Sequence, residues 1–414
     1  MHILFLTQIL PYPPDAGPRV KTWHVLRYLA GLGHRITLVS FVRSEEMDHL
    51  GALEGVCSQV HTVPIRRSRL TDLGHWLRSR RTGRPFLVER DDSQAMRRLV
   101  RSIVEDGTVE VIHADQLTMA QFARVPDLDG PTAAAANNSR PATVFDAHNA
   151  VWTILRRMAE NAPRLLRPFL IGEARKVEAY EGQVVRSFDR VLAVTEIDRR
   201  ALLQVSGPDA EDRIAVIPIA VDTQKLRPAG LAAESLDIVT LGTLHYPPNA
   251  DGIRWFLQEV FPLVRRAVPG ATLTIIGKNP PRDFLQAAEQ QPQAIRVTGY
   301  VTDLDPYMAA AGVVAIPVRA GGGMRVRILE AFARGLPVVT TTVGMEGIEA
   351  QPGRDLLTAD TAADFAAAVT RFLNDPEFRE RTSRQARSLV ERRYDWQTAL
   401  KDLETVYREA INNC

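Results

Sequence analysis

The sequence of 414 residues lacks the features of secreted, membrane-spanning and nucleic-acid-binding proteins. Its two cysteines, Cys57 and Cys414, are too few for a disulfide framework or a cysteine-based metal site. No run of about 18 apolar residues predicts a transmembrane helix, and the short apolar start lacks the basic residues of a signal peptide. A formal net charge of +2 gives no bulk attraction for nucleic acid. We therefore expect a cytoplasmic protein with no nucleic-acid partner.

The first half of the chain alternates short apolar runs with helical patterns. Residues 3–6 and 36–39 are apolar runs typical of buried parallel strands, and an amphipathic helical pattern lies between them. In such a sheet, ligands bind at the carboxyl ends of the strands. No G-x-G-x-x-G motif follows the first run, which argues against a dinucleotide-dependent dehydrogenase.

The second half repeats this alternation after a Pro- and Gly-containing linker candidate at residues 225–235. We predict an α/β protein of two doubly wound, Rossmann-like domains, residues 1–225 and 226–390, facing each other across a cleft. The amphipathic segment 391–414 is predicted to pack back on the first domain. Residues 127–142, rich in Pro, Ala, Asn and Gly, are expected to form a variable loop, and Pro262 is expected to kink a helix.

A glycine-rich stretch in the second half has the features of an anion site. Gly321, Gly322 and Gly323 follow a predicted strand and precede a helix that carries Arg325 and Arg327 near its start. Glycines allow an anion to approach the backbone, and helix N-terminal N–H groups and arginines neutralise its charge. The alternative is a flexible turn leading into a surface helix. The preceding strand, the arginines and the Gly335-x-Pro337 stop favour the ligand site.

Two histidines in the first half stand at the carboxyl ends of predicted parallel strands. His113 ends the run 109–113, and His148 follows the run 143–147 together with Asn149. A single histidine at such a place is often structural, but two indicate a functional role for at least one, and we favour His148. Arg19, in the Pro-rich loop 11–19, either meets an anionic ligand or is solvated.

Residues 66–84 combine many arginines and one acid with an apolar stripe of Leu70, Leu73, Trp76 and Leu77. This pattern is typical of a segment that lies on an anionic membrane surface. The alternative is the solvated basic face of an ordinary amphipathic helix. If the segment contacts a membrane, the protein is peripheral on its inner face.

Several short motifs, in this order along nearly the whole chain, resemble the GT-B glycosyltransferases and, among them, the retaining glycosyltransferase family 4. They are Gly17-Pro18-Arg19, Gly33-His34, His148, residues 216–218 with Val221-Asp222, Ile328-Leu329-Glu330-Ala331, Gly335-x-Pro337 and Tyr394-x-Trp396. The resemblance implies two Rossmann-like domains, of which the second holds a nucleotide-diphosphate sugar.

The resemblance also implies roles for individual residues. Glu330 matches the second glutamate of the family's E-x7-E motif, which binds the donor ribose, whereas the first glutamate is replaced by Gly322. Backbone N–H groups of Gly322, Gly323 and Met324, beside Gly321, are then expected to hold the sugar. Many members place an Arg and a Lys for the diphosphate just after the glycine that matches Gly242, where this chain has Thr243. Arg325, in preference to Arg327, is expected to replace these cations. His148 is expected beside the reacting sugar, and the loop with Gly17 and Arg19 is expected to close on the donor phosphates. His113 and Asn149 are expected as possible sugar or acceptor contacts.

The resemblance implies a retaining, metal-independent glycosyltransferase with no cofactor. Its donor is a UDP-, GDP- or other nucleotide-diphosphate sugar, and its acceptor is a hydroxyl group of a glycan, a lipid-linked sugar or a small molecule. The missing acid at Gly322 leaves a non-catalytic nucleotide-sugar-binding partner subunit as an alternative. A UDP-sugar 2-epimerase of the same fold is a further alternative, although it requires paired acids near the sugar.

Overall fold

The computed structural model describes residues 1–65, 67–123, 140–160, 162–228 and 235–414. The chain forms two compact units, Met1–Ile219 with Ala399–Cys414, and Ala220–Thr398. The chain thus passes from one unit to the other after Ile219 and again after Thr398, whereas the domain boundaries predicted from the sequence follow residues 225 and 390. Three segments singled out above lie partly outside the described residues: the basic segment at 66, the variable loop at 127–139 and the linker at 229–234.

Each unit is built on a parallel sheet. In the described part of the first unit, the strand order is β3-β2-β1-β4-β5-β6-β7, with β1 (His2–Thr7), β2 (Arg35–Val42), β3 (Gln59–Pro64), β4 (Val111–Asp115), β5 (Ala142–Ala147), β6 (Arg190–Ala193) and β7 (Ile214–Val216). In the second unit it is β10-β9-β8-β11-β12-β13, with β8 (Asp237–Leu241), β9 (Thr272–Ile276), β10 (Ile295–Gly299), β11 (Ala311–Ile316), β12 (Val338–Thr340) and β13 (Leu357–Thr358).

Helices connect and cover the strands. They are α1 (Gly17–Gly31), α2 (Leu50–Glu54), α3 (Arg69–Thr82), α4 (Phe86–Arg90), α5 (Gln94–Glu105), α6 (Ala120–Ala123), α7 (Val151–Glu160), α8 (Arg167–Ser187), α9 (Glu196–Ser206), α10 (Pro247–Trp255), α11 (Phe261–Ala267), α12 (Arg282–Gln290), α13 (Asp305–Ala310), α14 (Val326–Ala333), α15 (Thr342–Met345), α16 (Ala362–Asn374), α17 (Pro376–Arg393), α18 (Trp396–Ala399) and α19 (Leu403–Asn412). None of these helices is long and apolar enough to cross a membrane.

The strands at the centre of the first unit are buried on both faces. Every residue of β1, β4 and β5 is buried, as expected for parallel strands covered by helices on either side. The final helix of the chain, α19, packs on β4, β5 and β6 and buries Leu403, Tyr407 and Ala410. One face of α19 is therefore part of this unit's interior.

The predicted helix around Pro262 is interrupted rather than simply kinked. α10 passes into a π-helical turn at Phe256–Val260, and α11 then begins at Phe261 with Pro262 in its first turn. Proline fits this position because the first turn of a helix leaves its N–H groups without intrahelical acceptors. Phe256, Val260 and Val264 remain buried, so the turn preserves the apolar face across the break.

Candidate functional site

The carboxyl ends of β4 and β5 bring together polar side chains that are distant in sequence. In the sheet register, Asp115 at the end of β4 pairs with Asp146 of β5, and His148 follows β5 directly. The Nε2 atom of His148 lies 2.7 Å from Oδ1 of Asp115. The hydroxyl of Thr22, in α1, donates to the same carboxylate at 3.2 Å and 3.1 Å from its two oxygens. Asp115 is thereby fixed on one side and orients His148 on the other.

This pairing sets the proton position on His148. A carboxylate only accepts hydrogen bonds, so Nε2 must carry the proton that points to Asp115. The other ring nitrogen, Nδ1, is buried and has no hydrogen-bond partner among the residues the structure describes. In the neutral ring Nδ1 is an acceptor, so His148 offers one unused acceptor position to a ligand hydroxyl.

His148 borders a cavity of about 190 Å³ within the first unit. One lining residue, Gln116, has a backbone φ of 75°, which is rare for a side chain other than glycine and marks local strain. The Nε2 of Gln116 and the hydroxyl of Thr118 are also buried without a partner in the described chain. Unused donors and acceptors therefore converge here, and the lining residues are Gln8, Leu87, Arg90, Gln116, Leu117, Thr118, His148, Asn149 and Val151.

The structure separates His113 from this cavity. Its ring has no exposed surface, stacks on Phe5 with centroids 4.0 Å apart, and places Nδ1 2.6 Å from the hydroxyl of Tyr407 in α19. Burial lowers the pKa of His113 to about 4, so the ring is neutral near pH 7. We expected His113 as a possible sugar or acceptor contact, whereas the structure places it in the core of the unit.

A buried ion pair lies beside His113. The ammonium of Lys21, in α1, contacts the carboxylate of Asp146, and both side chains are almost fully buried. Burial raises the pKa of Asp146, but the positive charge of Lys21 opposes this shift, and the pKa stays below its usual value. His113, Asp115 and Asp146 form a set of possible metal ligands in the described residues. The ammonium of Lys21 contacts Asp146, one member of this set, and therefore already supplies a positive charge there.

Sequence reasoning missed this pair for a physical reason. Lysine and aspartate are usually solvated, and nothing local marks two residues 125 positions apart as partners. The only indication in the sequence was that Asp146 lies near the end of the predicted strand 143–147, two residues before His148. Asp115 has the same signal, because it ends the strand that contains His113.

The predicted loop residues Gly17 and Arg19 are placed at the start of α1. Gly17 is the first residue of that helix, and Pro18 follows in its first turn. The guanidinium of Arg19 is paired with Asp15 at 2.9 Å and with Glu46. Its charge is therefore neutralised within the unit, whereas Asn149 lines the cavity beside His148.

In the second unit, Arg327 lies against the glycine turn that ends β8. A Cβ atom added to Gly242 would be 3.3 Å from Nη1 of Arg327 and 3.4 Å from Nδ2 of Asn249. The same Asn249 nitrogen donates to the carbonyl of Thr243 at 3.3 Å. The backbone at Gly277, after β9, approaches so closely that a Cβ there would be 1.9 Å from the Gly242 carbonyl oxygen. Glycines thus let two strand ends and the Arg327 guanidinium meet.

Arg325 has a different environment. Gly321 and Gly323 have φ values of 120° and 80°, which only glycine adopts readily. Nη1 of Arg325 donates to the carbonyl oxygens of Gly322 and Gly323, the latter at 2.6 Å. Arg325 therefore holds the glycine loop in shape. We preferred Arg325 as the replacement phosphate cation, but the structure places Arg327 at the Gly242 turn.

Glu330 lies one helical turn after Arg327 on α14. Burial raises the pKa of Glu330, and the charges of Arg334 and Arg327 oppose this shift. Burial lowers the pKa of Arg327, opposed by Glu330. Arg334 is engaged with Asp305 at 2.9 Å, and Met324 is buried before the helix. The helix therefore presents a half-buried cation and a half-buried carboxylate one turn apart.

The end of α14 is fixed by a residue from α17. The guanidinium of Arg387 donates to the carbonyls of Leu226 at 2.7 Å and Thr223 at 2.9 Å, and also to that of Ala333 at the end of α14. One planar cation thus satisfies three backbone acceptors. The helix that carries Arg327 and Glu330 is held rigidly at its far end.

Part of the second unit matches a known family. Residues 235–375 match the model of the family described as "Glycosyl transferases group 1". This part of the chain is similar to the group 1 glycosyl transferases. It contains the residues placed above at the Gly242 turn and on α14.

Similarity to known proteins extends beyond the matched residues. The chain is 30% identical to glycogen synthase of Mycobacterium tuberculosis over 253 residues, which are 57% of this chain and 58% of that protein. The chain thus spans little more than half the length of this relative. It is 22% identical over 422 residues to a 44.6 kDa protein of the cps region of Klebsiella pneumoniae, covering 98% of this chain and 99% of the other.

Solved structures define the fold. The Anabaena protein Alr3699/HepE, in a complex with UDP-glucose, superposes with a TM-score of 0.68 and 16% identity over 99% of both chains. Sucrose-phosphate synthase of Thermosynechococcus elongatus superposes with a TM-score of 0.70 and 15% identity over the full length of both. The fold is GT-B, with two Rossmann-like domains, as predicted.

Proposed function

We propose that this protein transfers a sugar from a nucleotide-diphosphate sugar to an acceptor hydroxyl, with retention of the anomeric configuration and without a metal ion. The observation that carries the proposal is the position of Arg327 against the Gly242 turn, with Glu330 one helical turn further along α14. A guanidinium suits the diphosphate of such a donor, and a carboxylate suits its ribose hydroxyls. The UDP-glucose complex of the Anabaena relative supports a donor of this class.

In this proposal the donor is held by α14 and the loops around it. The carboxylate of Glu330 accepts hydrogen bonds from two neighbouring ribose hydroxyls. Arg327 and the N-terminal N–H groups of α14 face the diphosphate, where the helix dipole also favours negative charge. Backbone N–H groups of Gly322, Gly323 and Met324 hold the sugar in place of the carboxylate that many relatives have at the position of Gly322.

The reaction breaks the bond between the anomeric carbon and the β-phosphate oxygen. The bonding electrons leave with the diphosphate, whose growing charge is stabilised by Arg327 and the start of α14. The acceptor oxygen bonds to the anomeric carbon on the same face, and its proton passes to the departing phosphate. A fixed guanidinium supplies the positive charge that a metal ion provides in other transferases, which supports metal independence.

His148 has a separate role in the first unit. Its Nδ1 accepts a hydrogen bond from a sugar hydroxyl, since Nε2 is committed to Asp115. The cavity beside it, with Gln116, Thr118 and Asn149, offers further hydrogen bonds to hydroxyl groups. We assign this cavity to a sugar or to the acceptor.

The test is an assay of UDP-, GDP- and ADP-sugars with and without added acceptors, after a thermal-shift panel has identified the nucleotide that stabilises the fold. We expect acceptor-dependent release of nucleoside diphosphate, a product with the donor's anomeric configuration, and no loss of rate with EDTA. Interconversion of the sugar nucleotide would indicate the epimerase instead. Binding without turnover, across glycan and lipid-linked acceptors, would indicate the non-catalytic subunit.

A further inference from the structure

Helix α3 buries almost none of its own side chains. Ser79 is its only buried residue, and the apolar stripe predicted from sequence faces outward. Leu70 is 84% exposed, and Leu73 and Leu77, on the same face of the helix, are exposed as well. An ordinary amphipathic helix packs its apolar stripe on the core, so this alternative for residues 66–84 does not describe α3.

The apolar surface continues onto the start of α8. Leu165 is 95% exposed, and Leu166 and Phe169 are exposed beside it. The rings of Trp76 and Phe169 lie 6.4 Å apart, and Nζ of Lys176 is 2.5 Å from Oγ of Ser79, so α3 and α8 are neighbours. Contiguous exposed apolar surface of this kind marks an interaction site.

Arginines surround these side chains and are not neutralised. In the described chain, the exposed Arg69, Arg80 and Arg81 of α3 have no carboxylate partner, and Arg80 stacks over Trp76 at 5.4 Å from the ring centroid. Arg164 and Arg167, before and at the start of α8, are likewise exposed and unpaired with acids among the described residues. Other arginines of the segment differ in being ion-paired, namely Arg67 with Asp91, and Arg78 and Arg84 with Glu89 and Asp92.

We propose that the surface formed by α3 and residues 164–171 docks on an anionic lipid bilayer. Leucines insert at the boundary of headgroups and acyl chains, a tryptophan lies at the interface, and arginines extend to lipid phosphates. A protein partner would have to supply a matching acidic rim around an apolar centre, whereas an anionic bilayer presents both without a specific fit. The charges and the apolar side chains therefore favour a lipid surface.

This surface is connected to the cavity of the first unit. Helix α4 follows α3 directly and contributes Leu87 and Arg90 to the cavity that His148 borders. Docking places that cavity beside the lipid headgroups. Its consequence, which rests on the proposed function, is that an acceptor carried by a lipid is delivered to the cavity. The binding test below uses no sugar nucleotide, so a failure of transferase activity cannot be mistaken for a failure of docking.

The test is co-sedimentation of the full chain with vesicles of equal parts phosphatidylglycerol and phosphatidylcholine at low salt. We expect binding that weakens as salt is added and is much weaker to phosphatidylcholine alone. Reversing two charges, in Arg80→Glu with Arg81→Glu, should reduce binding by at least about thirtyfold. Leu70→Glu with Leu73→Glu should also abolish most of it.

Matched controls come from the second unit. Leu285→Glu changes an exposed leucine of α12, and Arg266→Glu with Arg282→Glu alters the net charge as much as the α3 pair does. Both should bind vesicles like the parent protein, and all variants should keep the parent melting temperature because the changed side chains are exposed. No sedimentation with anionic vesicles at low salt, or an equal loss in the controls, would overturn the proposal. The proposal would also be overturned if the parent protein did not bind vesicles but formed a dimer that dissociates in the variant Leu70→Glu with Leu73→Glu.

Discussion

The pair of His148 and Asp115 gives a prediction about proton position. Asp115→Asn retains the side-chain volume but offers an amide that can donate to Nε2 and so reverse the tautomer of His148. We expect kcat to fall at least about tenfold with little change in donor KM, as for His148→Ala, and the pH dependence of kcat/KM to change. Steady-state kinetics across pH measure this.

Thr22→Val is the control for that substitution. It removes a hydroxyl that donates to the same carboxylate but leaves the acceptor for Nε2 in place. Its kinetics should stay close to those of the parent, with an unchanged pH profile. If Asp115→Asn turned over as fast as Thr22→Val, the assigned positioning role would be refuted.

Arg327 and Arg325 should differ when each is changed to methionine. Arg327→Met should weaken nucleoside-diphosphate binding at least about tenfold while leaving the melting temperature unchanged or higher, because burial of this guanidinium carries a desolvation cost. Arg325→Met should lower the melting temperature, because the carbonyls of Gly322 and Gly323 lose their donor. Calorimetric titration and thermal unfolding separate the two effects, and the reverse pattern would assign the phosphate to Arg325.

His113 predicts a pH dependence of stability. Its folded-state pKa of about 4 lies below the ordinary value of 6.5, so between these values the unfolded chain binds more protons. The free energy of unfolding should therefore fall as pH falls from 6.5 to 4, by up to about 3 kcal/mol from this group. The groups around the ring are Asp146, Asp115, Lys21, His148 and Tyr407. Urea unfolding of the parent and of His113→Gln should show this component in the parent only, and equal slopes against pH would exclude it.

The assignment of the two arginines shows the limit of sequence reasoning at this scale. Residue types and spacing predicted a ligand site at the glycine-rich stretch, its arginines and Glu330, and this stays a prediction. Which arginine faces the Gly242 turn could not, because this depends on the left-handed conformation of Gly321 and Gly323 and on carbonyls that capture Arg325. Side-chain direction in an irregular loop has no periodicity from which to predict it.

Among the elements, α14 depends on Arg387 of α17. Replacing this residue by alanine leaves three backbone carbonyls without their donor, and we expect a loss of about 2 to 4 kcal/mol in stability. Arg384→Ala, one turn away, removes an exposed pair with Glu380 at 3.8 Å and should change stability by less than about 0.5 kcal/mol. Chemical denaturation measures both. Donor affinity should fall in the first variant alone, and an unchanged affinity there would show that α14 is held by other contacts.

Helix α3 shows what periodicity does and does not predict for an element. The spacing of Leu70, Leu73 and Leu77 predicted a helix correctly, and its basic residues suggested a surface. The direction of the apolar face could not be read from the pattern, because the same spacing serves a core-facing stripe. The π-helical turn before Pro262 was missed for a related reason, since one extra residue in a turn leaves the apolar spacing nearly unchanged.

For the whole molecule, the repeated alternation of apolar runs and helical patterns was sufficient to predict two doubly wound units, whereas the GT-B fold was implied by the resemblance of the short motifs to a known family. Short connections and right-handed crossovers leave few arrangements for such a pattern. The exact division was harder, because the structure moves the transition to Ile219 and returns the chain to the first unit at Ala399, where no proline or glycine cluster marks the change.

The discontinuity of the first unit affects how the chain is made. During synthesis, domains usually fold in the order in which they emerge from the ribosome. Here the core of the first unit stays incomplete until Tyr407 is available to His113, and by then all of the second unit has already been translated. The first unit is therefore synthesised in part before the second unit but completes its core after it. Until α19 has been synthesised, the surface of β4, β5 and β6 on which this helix packs stays uncovered.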